Sequence, residues 1–198
     1  IGRNINYSFS RNFFLEKFGS DEKFVDFNYR NYDINSIEDV KSVFNQNNIC
    51  GLNVTIPYKE EILGYLDKIS NQAKEIGSVN TICFENGKKV GYNTDIHGFT
   101  ESLKVNKIDN IDSVLILGTG GAAKTISYFC KKNSIPYSLV SRQSSNLNLT
   151  YNDLNENLFS KKVLIVNCTP VGTFPKINSC PELPYELIKK ENIFFDLV

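Results

Sequence analysis

Among its 198 residues the chain has no methionine, not even at position 1, so it reads as a piece of a longer polypeptide. It has a single histidine, His97, with no second ligand type clustered beside it, which argues against metal-assisted catalysis and leaves no metal expected. No basic run reaches five residues, and Lys+Arg 22 balances Asp+Glu 22, so neither nucleic acid nor an anionic membrane is an expected partner. The longest apolar runs are about five residues, against the roughly 20 that cross a bilayer, and no signal-peptide pattern opens the chain. The cysteines (Cys50, Cys83, Cys130, Cys168, Cys180) are odd in number, widely spaced and without a C-x-x-C pair, and three lie inside apolar runs. They read as reduced packing residues. These absences together leave a cytoplasmic globular protein whose partners are small molecules.

What is present suffices for real cores: 41% of residues are apolar and 12% aromatic, enough for one large domain or two small ones. Asparagine is so frequent in every kind of segment that Gly and Pro are the better turn signals. The organising stretch is residues 114–126. Val114–Leu117 predicts a strand buried on both faces, and Gly118, Gly120 and Gly121 then open a helix running through Cys130. In a dinucleotide-binding turn the first glycine permits the tight bend and the second lets backbone approach a pyrophosphate. The third position, Ala123 here, stays small so that helix can touch strand. N–H groups of the helix start would face the phosphates. An ordinary αβ turn is the competing reading, and the next strand bears on the choice. Residues 135–140 lead to Ser141 and Arg142, where the fingerprint expects an acid for a ribose hydroxyl. An arginine there favours a 2′-phosphate, hence NADP over NAD.

The earlier half is read in the same way. Asn12–Phe18 predicts a helix that Ser8 or Ser10 could cap, Phe24–Tyr29 alternates as a strand, and Ser36–Phe44 predicts a capped amphipathic helix with Asp39 near its start. Residues 50–57 predict a third strand with Asn53 and Thr55 on one face, and Pro57 suits the first position of a following helix. Lys59 would then sit in that helix's first turn, opposing the macrodipole at a cost of a few tenths to about 1 kcal/mol. Either an exposed lysine tolerates that cost or it has another reason to be there. A short helix over residues 70–76 precedes two strands joined by Asn86-Gly87, a hairpin signal. Asp95, before a helical stretch, suits an N-cap, a role that need not exclude catalysis. Residues 104–112 are polar and read as a linker, after which strands at 114–117, 137–140, 163–167 and 193–198 alternate with helices, one near Leu154. The expectation is an α/β chain. A mixed-sheet α/β domain occupies 1–96, and a Rossmann-like doubly wound domain occupies 97–198, its C-terminal part missing.

Several stretches, in this order along the whole chain, resemble the shikimate dehydrogenase family. They are Gly2 to Ser10, Asn53-Val54-Thr55-Ile56-Pro57-Tyr58-Lys59-Glu60, Gly77 to Thr81, Asn93-Thr94-Asp95 with Gly98-Phe99, Gly118 to Ala123, Ser141-Arg142, Asn167 to Pro170 and Phe195-Asp196-Leu197. Tyr7 and Arg11 stand where the family usually carries His and Pro, and family members continue beyond Val198. The resemblance implies a substrate domain followed by an NADP(H) domain, and reversible NADPH-dependent reduction of 3-dehydroshikimate to shikimate in chorismate and aromatic amino-acid biosynthesis. It implies that Ser8 and Ser10 hold the substrate carboxylate, that Thr55, Asn80 and Asp95 hold its ring hydroxyls, and that Lys59 with Asp95 forms the catalytic pair. Gly118, Thr119, Gly120, Gly121 and Ala122 would bind the pyrophosphate, Ser141 and Arg142 the adenosine phosphate, and Thr169 and Leu197 would lie near the nicotinamide. A monomer or homodimer is expected. The chemistry agrees: hydride delivered to a ketone leaves an alkoxide, and a lysine beside a carboxylate can supply its proton without a metal. Two alternatives remain open at this point, a quinate/shikimate dehydrogenase relative using NAD and a non-catalytic NADP-binding sensor. Retention of both Lys59 and Asp95 argues against the sensor.

Overall fold

The computed structural model describes residues 1–6 and 8–197; Tyr7, and with it the comparison made above, and Val198, the last residue of the final predicted strand, lie outside the described residues. The chain divides into two compact units, Ile1–Ser70 with Val79–Tyr92, and Asn71–Ser78 with Asn93 onward. The single cut drawn between 96 and 97 from sequence differs from this division in both segments that change sides.

In the first unit α1 (Phe9–Ser20) is followed by a 3-10 turn over Glu22–Phe24 and a second over Ile37–Asp39 that runs into α2 (Val40–Phe44). Ser36 and Asp39 form a reciprocal capping box at that start, as the sequence predicts. β1 (Gly51–Asn53), β2 (Lys68–Ile69), β3 (Thr81–Glu85) and β4 (Lys88–Tyr92) form a mixed sheet in the order β1-β3-β4-β2, with β2 parallel to β4. Asn86 (φ 50°) and Gly87 (φ 74°) close the predicted hairpin with the two positive φ values that a two-residue type I′ turn needs.

Two expectations fail here. Residues 24–29 are not a strand. The Asp21 side chain accepts the Lys23 N–H (3.0 Å) to start a turn, and Phe24 and Phe27 both pack on Phe18, with ring centroids 5.9 and 5.8 Å away. The apolar alternation therefore serves an aromatic cluster and not a sheet face. Nor does an α-helix begin at Pro57, which follows a cis peptide bond. The Tyr58 N–H bonds the Thr55 carbonyl (3.0 Å), so a tight turn takes the residues a first helical turn would use, and a 3-10 helix follows only at Glu61–Tyr65. Tyr58 is fully buried and anchors the turn by donating its hydroxyl to the Ile34 carbonyl (2.8 Å). Lys59 lies in the turn, and the macrodipole argument for it falls.

The second unit contains α3 (Asn71–Ile76), α4 (Asp95–Val105), β5 (Ser113–Leu117), α5 (Gly121–Lys132), β6 (Tyr137–Ser141), β7 (Leu149–Thr150), β8 (Val163–Asn167) and β9 (Ile193–Asp196). Its five strands are all parallel in the order β7-β6-β5-β8-β9, the doubly wound arrangement whose strand order reverses between β5 and β8. Alternate β5 residues feed two cores. Val114 and Ile116 pack with Phe99, Ile126 and Phe129, whereas Leu115 and Leu117 pack with Val140, Phe159 and Ile165. The strand is buried on both faces, as its unbroken apolar run predicts. Near Leu154 the expected helix is replaced by two 3-10 turns, because the Asp153 carboxylate accepts both the N–H and the hydroxyl of Thr150 (2.7 Å each) and closes a short turn. Residues 104–112 are not a linker. Ile108 and Ile111 pack against the core of this unit, and the Asp112 carboxylate accepts the Lys162 N–H (2.9 Å).

Candidate active site

The first unit gathers three of the expected substrate residues around one cavity of about 220 Å³: Ser8, Ser10 and Thr55 all line it. Ser8 stands at the N-cap position of α1, yet its side chain accepts no capping hydrogen bond, so the capping alternative does not explain it. Tyr29, Asn53 and Arg30 line the same space and were missed from sequence. The Tyr29 ring stacks on Phe14 (5.0 Å, 8° between planes) and its hydroxyl donates to Asn53 Oδ1 (3.0 Å). Burial pushes the Tyr29 phenol up, partly offset by a hydrogen bond with Ser10. For Asn53 a signal existed, since it shares the strand face of Thr55. For Tyr29 the misread strand hid it.

Asn80 and Lys59 belong to the same unit but do not line this cavity. Asn80 is buried; its N–H bonds the Tyr92 carbonyl (3.0 Å), its carbonyl accepts the Val54 N–H (2.8 Å), and its Oδ1 accepts the Thr81 hydroxyl (3.0 Å). The half-buried Lys59 is tied to that segment through its carbonyl, which accepts the Val79 N–H (2.8 Å).

Asp95 belongs to the second unit, where it is the first residue of α4 and not its N-cap. Capping is done by Asn93, whose Oδ1 accepts the Ile96 N–H (3.3 Å) while its Nδ2 donates to the Ser78 carbonyl and to Thr125 Oγ1, both at 3.1 Å. Asn93 is only 4% exposed, so these bonds fix the start of α4 against α5 in the interior.

The residues expected to bind the cofactor lie at the carboxyl ends of β5, β6, β8 and β9. Gly118 has φ 107°, and a Cβ there would sit 3.3 Å from the Cys168 carbonyl oxygen and 3.4 Å from Thr169 Cγ2. Its N–H bonds the Val140 carbonyl (2.7 Å) on one side, and the Cys168 N–H bonds the Leu117 carbonyl (2.9 Å) on the other. Gly118 therefore sits where the sheet order reverses, in backbone contact with both neighbours. Gly120 occupies the N-cap of α5 without a side-chain cap, and a Cβ there would meet nothing within 4 Å. Thr119 and Gly120 are exposed and Gly121 and Ala122 half-buried, whereas Ala123 is buried in the core shared with β5. An open backbone turn leading into a 12-residue helix fits a pyrophosphate.

Beside it, Ser141 ends β6 and accepts the Gln143 N–H (3.3 Å), and Arg142 follows exposed. Thr169 is held by Asn167, to which no sequence motif assigns a role. Asn167 Oδ1 accepts the Thr169 hydroxyl (2.7 Å) and its Nδ2 donates to Asp196 (3.0 Å), while its carbonyl accepts the Leu197 N–H (3.2 Å). Asn167 thus fixes both residues expected near the nicotinamide, Thr169 through its side chain and Leu197 through its main-chain carbonyl. Among the described residues no group of three or more His, Cys, Asp or Glu could hold a metal ion, and no helix is long and apolar enough to cross a membrane.

Comparison with known proteins places this geometry. The profile of the shikimate dehydrogenase substrate binding domain matches residues 1–82. The shikimate dehydrogenase (NADP(+)) of Methanococcus vannielii is 36% identical, covering 100% of this chain and 76% of that protein. The chain belongs to the shikimate dehydrogenase family. A second shikimate dehydrogenase (NADP(+)), from Clostridium botulinum, is 38% identical over 100% of this chain and 80% of its own length. Among solved structures, the shikimate 5-dehydrogenase of Thermus thermophilus in complex with NADP(H) and shikimate superposes with a TM-score of 0.81 at 28% identity, covering 100% of this chain and 76% of that one.

Proposed function

We propose that the chain is an NADP-dependent oxidoreductase that interconverts 3-dehydroshikimate and shikimate, with residues 1–96 supplying the substrate groups and 97–198 the cofactor groups. The observation that carries this reading is the Gly118 turn at the reversal of the parallel sheet, in a chain of this family. Bound NADP would supply or accept the hydride. Gly118, Thr119, Gly120, Gly121 and Ala122 hold the pyrophosphate, Gly118 by the bend it permits and the others with backbone N–H groups, and Arg142 with Ser141 meets the 2′-phosphate, the guanidinium by charge-assisted hydrogen bonds. Thr169 and Leu197 border the nicotinamide.

On the substrate side, Ser8 and Ser10 donate hydroxyl hydrogen bonds to the carboxylate, and Thr55, Asn80 and Asp95 take the ring hydroxyls. Lys59 acts as the general acid, protonating the oxygen that becomes an alkoxide on reduction and recovering that proton in the reverse direction. Asp95 orients the lysine and accepts a substrate hydroxyl. Support for these roles comes from the shared cavity of Ser8, Ser10 and Thr55. The test is the absorbance of NADPH at its reduced-nicotinamide band after adding 3-dehydroshikimate to the full-length protein. Loss of the band is expected, and an unchanged band would refute the assignment.

A further inference from the structure

The cavity that holds Ser8, Ser10 and Thr55 has a feature that this assignment of roles does not use. None of the side chains lining it is acidic, and among them Arg30 is the one that carries a charge. Arg30 is exposed and follows Tyr29, whose ring is fixed by the Phe14 stack and whose hydroxyl is bonded to Asn53 on the cavity wall. Its backbone is therefore held at the cavity, which it lines while remaining open to solvent. Among the described residues no carboxylate pairs with it. The other polar side chains at the cavity are hydroxyls and amides, which recognise an anion only by neutral hydrogen bonds. A guanidinium adds a charge-assisted, bidentate match to a carboxylate, about twice as strong as a neutral bond.

We propose that Arg30 is a substrate-binding residue whose guanidinium meets the carboxylate of the ring acid at the mouth of this cavity, beside Ser8 and Ser10. The proposal rests on the assignment of shikimate as substrate made above, and it makes the anionic charge of the substrate, and not only its hydroxyls, a determinant of selection. Because Arg30 is exposed, solvent and salt screen the contact, which sets its size between a surface ion pair and a buried charged hydrogen bond.

The experiment uses the full-length protein, with shikimate and its uncharged methyl ester as paired probes, in wild type, Arg30→Ala and Arg30→Lys. Turnover is followed by NADP+ reduction and affinity by calorimetry. Arg30→Ala should raise the shikimate KM about five- to thirty-fold with kcat within about twofold. The methyl ester should be nearly unaffected by the substitution, and NADP+ affinity should not move. Arg30→Lys should recover most of the loss, and raising the salt to about 0.5 M should narrow the gap between wild type and Arg30→Ala. An unchanged shikimate KM in Arg30→Ala overturns the proposal. Equal losses for acid and ester also overturn it, because they would mean that Arg30 shapes the loop and does not read charge. A wild type that binds shikimate without turning it over refutes the proposed activity alone, since calorimetry still tests Arg30; a wild type that neither binds nor turns over shikimate refutes both.

Discussion

At the carboxyl end of β5 the candidate phosphate site is made of backbone: a glycine at φ 107° in contact with the Cys168 carbonyl, an uncapped helix start, and small residues against the sheet. At the candidate substrate cavity the lining side chains are drawn from three separate segments, Ser8 and Ser10 at the start of α1, Tyr29 and Arg30 in an irregular stretch, and Asn53 and Thr55 at or just beyond the end of β1. The first kind of site is specified by residues that are contiguous in sequence and constrained by sterics, so few substitutions preserve it. The second depends on where distant segments come to lie, and each of its contacts can be exchanged singly. Damage to the backbone site should therefore disturb folding and cofactor together, and damage to the side-chain site should disturb one kinetic parameter at a time.

The sharpest separation is expected at Lys59. Lys59→Ala should lower kcat by roughly 10²–10⁴ while the shikimate KM stays within several-fold and NADPH affinity is unchanged. Asp95→Asn should lose both rate and affinity, and the double variant should be little worse than the worse single one, because an acid-base couple acts as a unit. Steady-state kinetics of the three variants checks this; near-wild-type kcat in Lys59→Ala would overturn the proposed proton donor. Arg142→Ala comes next, weakening NADPH by about ten- to 150-fold, from about 1.5–3 kcal/mol for a charged hydrogen bond, with NADH little changed. Fluorescence titration with both cofactors measures the ratio, and equal losses would remove the 2′-phosphate assignment.

Gly118→Ala should act differently from all of these. A side chain at φ 107° costs about 1–3 kcal/mol in strain, and its Cβ would press on Cys168. The melting temperature should fall by roughly 2–12 °C and NADPH affinity should fall with it, whereas Arg142→Ala should leave the melting temperature in place. Calorimetric melting with and without NADPH distinguishes the two. The smallest effect concerns the thiols. All five cysteines are free, and burial pushes Cys130 up to about 12, so almost no thiolate forms at neutral pH. A chromogenic disulfide reagent should label the exposed Cys50 and Cys180 in the native protein and reach Cys130 only after unfolding. Rapid native labelling of Cys130 would mean that the core against α5 opens readily.

What could be read from sequence divides along the same line. The β5-turn-α5 segment, the Asn86-Gly87 hairpin and the buried β8 follow from glycine positions and apolar runs, which act locally. The strand expected at residues 24–29 was misread because a period of two in aromatic residues also suits a cluster around Phe18. The helix expected at Pro57 gave way to a turn anchored by the buried Tyr58, a tertiary contact invisible in the local pattern. Asp95 and Asn93 are both competent caps, and only the bonds of Asn93 to Ser78 and Thr125 decide between them. Arg30 carried no motif at all. Its interest comes from standing beside a cavity whose other lining side chains are uncharged.

The second unit takes α3 from the middle of the first, so the chain passes from one to the other at 70/71, 78/79 and 92/93. Ile76 on that helix lies in the core with Ile96 and Ile126. No single cleavage point therefore yields both units intact. A fragment starting at Asn93 would lack α3 and expose the apolar surface that Ile76 covers, while a fragment ending at Tyr92 would carry α3 without its packing partners. Ribosomal synthesis meets the same constraint, since α3 leaves the tunnel before any strand of the parallel sheet and must wait for α4 and α5 before its buried face is covered.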